Sequence, residues 1–135
     1  MPAAPRCLLD TDVLIQHFRG HPGVATRLED YQRRHGMLEL SVISYYELER
    51  GAESNARKQI RWQQFVSLCH VVALDQRIAN TAAQIYQTLA ARGELIPDAD
   101  LLIAATAITH DLTLVTHNTQ HFSRINALRL EDWAK

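Results

Sequence analysis

Apolar residues come in five short runs, at 6–9, 38–42, 69–74, 112–116 and 128–130, each too brief for a helix. Between most of them the spacing changes to the three-and-four repeat of amphipathic helices, at 12–18, 22–34, 44–52, 56–66, 75–92 and 98–110. Short continuous apolar runs mark strands buried on both faces, and alternation with helices predicts βα units. The expected fold class is therefore α/β, a three-layer α/β/α sandwich on a mainly parallel sheet of four to five strands. Arg92–Gly93 followed by Pro97 supplies a stop for the fifth helix. That helix carries an apolar stripe of Ala79, Ala82, Ala83, Ile85, Tyr86, Leu89 and Ala90, read as a core face with a dimer face as the alternative. No repeat, low-complexity tract or linker divides the chain, so 1–135 reads as one domain.

Three acidic residues punctuate this pattern. Asp10 stands in LLDTDVLI, where a strand stops and a helix begins. A carboxylate at that lip occupies the place where open α/β sheets keep their sites. Glu47 lies inside VISYYELERGA, and Asp100 heads DLLIAATAI. Each has an ordinary explanation: Asp10 caps the next helix, and Ser44 with Glu47 matches a capping box. Asp100 resists such a reading, because Ile103, Ala104, Ala107 and Ile108 put it at the head of the buried stripe. A carboxylate aimed at the core needs a cation or hydrogen-bond donors. Three acidic caps beside three strand ends are better explained by one shared divalent-metal site. Asp12 is expected to order a turn, and Asp98 to cap its helix.

Composition narrows the chemistry. The formal net charge is −1, and only Lys58 and Lys135 are lysines among 14 basic residues. General polyanion binding depends on many cations, so any nucleic-acid contact is local and carried by Arg. Cys7 and Cys69 sit in strand-like runs and are expected to be buried free thiols in a reducing cytosol. The start, MPAAPRCLLD, shows neither a basic leader nor a long apolar segment, and no run reaches membrane-spanning length; the chain is expected to be cytoplasmic. His117 and His121 have ligand-like spacing but lack the partners of a zinc protease or a structural zinc site. They are read as surface or substrate contacts. No nucleophile elbow or phosphate-cradling glycine loop is present. Tyr45, Tyr46 and Trp62 are expected in the core.

LLDTDVLIQHF, SVISYYELERGA and PDADLLIAATAITHDLTLVTHNTQHF together resemble the PIN-domain family, and within it the VapC-type toxins of toxin–antitoxin pairs. The resemblance spans essentially the whole chain. It implies an α/β/α sandwich acting as a Mg²⁺- or Mn²⁺-dependent endoribonuclease, with Asp10, Glu47 and Asp100 as catalytic and metal-holding residues. Asp12 stands where relatives often carry Asn. The fourth acidic position of the wider family falls on Asn118, whose amide brings no charge and weakens the case for a second tightly held metal. Thr11 and Asn118 are expected to orient water or phosphate, and Arg50 to contact phosphate. The resemblance further implies a homodimer, a small antitoxin that occludes the acidic groove, and promoter DNA bound only through that antitoxin. Two rivals remain. Asp10-Thr11-Asp12 mimics the acid pair of a haloacid-dehalogenase-like phosphatase, although Lys58 and Lys135 are badly placed to hold phosphate. A non-catalytic PIN-like domain binding RNA or protein is the other.

Overall fold

β1 (Cys7–Leu9) is the centre of the molecule, buried along its whole length and paired on both edges. In the computed structural model, which describes residues 5–52 and 55–135, it is followed by α1 (Thr11–Phe18), α2 (Pro22–His35), β2 (Leu38–Ser41), α3 (Val42–Ala52) and α4 (Ala56–Val66). Then come β3 (Cys69–Val72), α5 (Gln76–Ala91), α6 (Asp98–Thr109), β4 (Thr113–Val115), α7 (Thr119–Phe122) and β5 (Leu130–Glu131). The first four residues, on which the leader reading partly rests, lie outside the described residues.

All five strands are parallel, in the order β3-β2-β1-β4-β5. The chain leaves β1 toward β2 and β3, then returns across the sheet to place β4 on the other edge of β1. The direction of winding reverses between β1 and β4, the switch point at whose carboxyl ends open α/β sheets keep their sites. Registers Cys7↔Thr113 and Leu9↔Val115 set Asp10 and Thr116 side by side as the first residues beyond those two strands. The Asp10 amide donates to the Val115 carbonyl at 2.9 Å and extends the ladder one step.

Successive strand residues face opposite sides. Leu9 accordingly joins one core with Val13, Val24, Leu28, Trp62 and Phe65, and Leu8 the other with Leu89, Ile103, Ala104 and Phe122. Those two cores, one on each face, are the three-layer sandwich expected. Cys7 and Cys69 are buried free thiols, both pushed up to about 12, chiefly by burial.

Local chemistry sets the helix ends. Asp75 accepts from the Ile78 amide at 3.0 Å to start α5. Gly93, at φ +65°, ends that helix: its amide reaches the Ala90 carbonyl and the Glu94 amide reaches Leu89. Of the α5 stripe, Ala82 and Leu89 are buried and Ile85 partly so, whereas Ala79, Ala83, Tyr86 and Ala90 are exposed. Tyr46 is a correction: at 59% exposure it lies outside the core that Trp62 and Tyr45 enter. Three boundaries move by two residues: α3 begins earlier than the pattern suggested, β3 ends earlier, at Val72, and β5 begins later.

Candidate active site

Asp10, just past β1, is only 5% exposed. One of its oxygens accepts the Thr11 amide at 2.8 Å and so caps α1; the other accepts the Thr116 hydroxyl at 2.8 Å. Capping and site duty thus fall on the same carboxylate. Burial, then the neighbouring charge of Asp12, pushes Asp10 up to about 7 against the pull of these two donors, and Asp100 adds to the rise. Asp12 is raised as well, first by burial. It accepts from the His117 amide at 3.2 Å and lies 3.4 Å from the Thr116 hydroxyl, so it orders the turn after β4, as expected.

The capping box at Ser44 is not formed. Ser41 takes that role, its hydroxyl accepting the Ser44 amide at 3.1 Å, because α3 starts at Val42. Glu47 is thereby released from the helix start. Its carboxylate accepts the Thr11 hydroxyl at 2.7 Å, while the fully buried Ser44 hydroxyl lies 3.0 Å from the same Thr11 oxygen. Ser44 donating to Thr11, and Thr11 to Glu47, satisfies both contacts.

Asp100 reaches the network from the other side. Its carboxylate is 3.2 Å from His121 Nδ1, which is 3.0 Å from the Asn118 amide nitrogen. The Asn118 backbone amide donates to the Thr116 hydroxyl at 3.0 Å. One continuous chain of polar contacts therefore links Glu47, Thr11, Asp10, Thr116, Asn118, His121 and Asp100, with Asp12 branching from Thr116. Two expected residues stand apart. Asp98 is exposed at the first position of α6 and does not cap it; Pro97 occupies the cap position without a side-chain bond. Arg50 is exposed, with its guanidinium 5.2 Å from the Tyr46 ring centre.

Burial makes charge costly for Asp10 and Asp12, and among the described residues no Arg or Lys joins the network. A divalent cation is the complement such a donor set lacks. Among the described residues, no three His, Cys, Asp or Glu side chains are close enough to enclose an ion. The fit is to a hard cation that keeps several waters and takes one or two carboxylates. Beside Glu47 opens a groove of about 300 Å³, lined by Phe18, Leu48 and Trp62 and by the cations Lys58 and Arg61.

Three participants were not joined to the acids in sequence. Thr116 is the last residue of an apolar run, Ser44 is read as a cap, and His121 as a surface or substrate contact. The weak signal for Thr116 is a hydroxyl residue in the position after β4 that corresponds to Asp10 after β1.

A parallel sheet with linked carboxylates at its switch point is the layout of a nuclease domain. The chain belongs to the PIN-domain family, whose profile matches residues 7–128, and within it to the VapC-type ribonucleases. It is 35% identical to Ribonuclease VapC1 of Methanocaldococcus jannaschii over 130 residues, covering 96% of this chain and 88% of that protein. It is 32% identical to the tRNA(fMet)-specific endonuclease VapC of Shigella flexneri, covering 94% and 97% respectively. The fold superposes on VapBC2 from Rickettsia felis, solved bound to a fragment of its promoter DNA. The TM-score is 0.86 at 27% identity, over 94% of this chain and 98% of that one.

Proposed function

We propose that this protein is the toxin of a toxin–antitoxin pair, an endoribonuclease that hydrolyses RNA phosphodiester bonds with Asp10, Glu47 and Asp100 holding Mg²⁺ or Mn²⁺, one or two of them directly and the rest through water. The observation that carries the reading is the chain of polar contacts from Glu47 to Asp100, which runs through three sequence-remote acids at the sheet's switch point. A cation held there supplies Lewis acidity toward the scissile phosphate and the attacking water. The chain's own residues do the rest. Thr116 and the Thr11 amide aim the Asp10 carboxylate, Thr11 steadies Glu47, and Asp12 fixes the turn that presents Asn118. Thr11 and Asn118 orient water or phosphate at the rim, and exposed Arg50 is available to a more distant phosphate of the same strand. Asp98 has no part in this chain of contacts and supplies negative charge to the start of α6.

The substrate class is structured RNA, tRNA foremost, in keeping with the tRNA endonuclease among its relatives. The partner is a small antitoxin whose apolar segment lies in the groove beside Glu47 and blocks the acids; solved complexes of relatives with their antitoxins support it. Promoter DNA is reached through that antitoxin. The toxin is a homodimer acting in the cytoplasm; among the described residues no helix is long and apolar enough to cross a membrane.

Asp10→Asn and Asp100→Asn test the reading directly. Each is expected to lower cleavage of an RNA pool by roughly 100-fold or more, the scale of losing one charge-stabilising group, with the fold retained by circular dichroism. Cleavage in the parent should need added Mg²⁺ or Mn²⁺ and stop with a chelator. Full activity in either variant, or activity indifferent to the chelator, refutes the assignment.

A further inference from the structure

The environment of His121 Nδ1 is not that of a simple hydrogen bond. One ring nitrogen offers one in-plane direction, carrying either a proton or a lone pair. Here two groups share it: an Asp100 oxygen at 3.2 Å and the Asn118 amide nitrogen at 3.0 Å. A protonated Nδ1 serves Asp100 but meets the amide donor; an unprotonated one serves the amide but faces the carboxylate. Turning the Asn118 amide end for end, which exchanges O for N in the same space, leaves three lone pairs converging. A proton on Nδ1 then bridges to the two oxygens, and with Nδ1 unprotonated a cation is the species that satisfies all three. Adjacent donors around an octahedral ion with bonds of about 2.1 Å lie about 3 Å apart, which is the separation observed. Both side chains are partly open, 38% for His121 and 21% for Asp100, leaving room for waters to complete the shell.

We infer that His121 is a nitrogen ligand of the cation, beside Asp100 and the Asn118 amide oxygen, and that this site takes Mn²⁺ ahead of Mg²⁺. Mg²⁺ favours an all-oxygen shell, whereas imidazole suits ions of the first transition row, of which Mn²⁺ is the one least removed from oxygen chemistry. The inference rests on the carboxylate-site reading above and narrows it.

Electron paramagnetic resonance reads ligation without reference to catalysis. Mn²⁺ is titrated into the stripped, full-length protein at mildly alkaline pH, and electron spin echo modulation reports any ¹⁴N bound to the ion. Nitrogen modulation is expected in the parent and in His117→Gln, and is lost in His121→Gln and His121→Glu. His121→Glu, an oxygen donor, is expected to keep an ion and turn the Mn²⁺ to Mg²⁺ affinity ratio toward Mg²⁺ by about tenfold. Mn²⁺ bound in the parent without nitrogen modulation overturns the inference, whatever the variants do, and leaves His121 as a residue that only orients Asp100. An unchanged affinity ratio in His121→Glu overturns it equally. Failure of the parent to bind Mn²⁺, or binding untouched by Asp10→Asn and Asp100→Asn together, sinks the carboxylate-site reading itself.

Discussion

Asp10 is where burial and charge collide. Its carboxyl is pushed up to about 7 from an ordinary 3.8, so between those values the folded chain holds a proton that the unfolded chain has released. Stability of the metal-free protein therefore falls as pH rises from about 4 through about 7, by a few kcal/mol at most. Urea unfolding in a chelator across that interval should show the decline, and Asp10→Asn should flatten it. A profile equally steep in that variant would place the cost elsewhere. Added Mn²⁺ or Mg²⁺ should restore stability at neutral pH, because an ion that binds only the folded chain favours it by mass action.

At the scale of elements, sequence pattern located six helices and five strands well, because buried parallel strands and amphipathic helices leave distinct periodicities. It misjudged ends. Ser44-x-x-Glu47 has the spacing of a capping box, yet Ser41 sits at the end of β2 with its hydroxyl over the first turn of α3, and strand pairing put it there. The helix α7 escaped notice because four residues carry no repeat. Its Phe122 is fully buried between the sheet and α6, which makes it the anchor for the turn bearing Asn118 and His121. Phe122→Ala should cost about 3–5 kcal/mol and weaken cleavage with it, measured by denaturation and RNA assay. A second helix end offers the reverse. Asp111, at φ +56°, closes α6 by the pattern Gly93 uses for α5, with amides of residues 111 and 112 reaching Ile108 and Ala107. Asp111→Gly should gain about 0.5–1 kcal/mol and raise the melting temperature, since its pairing with Arg129 is exposed and worth little.

For the whole molecule, the three acids were legible as candidates, but what joins them was not. Thr116, Ser44 and His121 are ordinary letters in sequence; the placement of Thr116 and His121 depends on β4 returning beside β1, and that of Ser44 on α3 meeting α1, neither of which a local pattern encodes. Catalytic order here is a product of chain topology. The Asp10–Thr116 bond spans 106 positions, and β1 lacks its second edge until β4 arrives. A growing chain thus carries Asp10 long before Thr116 arrives to fix its carboxylate. The site is completed by the last strands to join the sheet, and no earlier portion of the chain can assemble it alone.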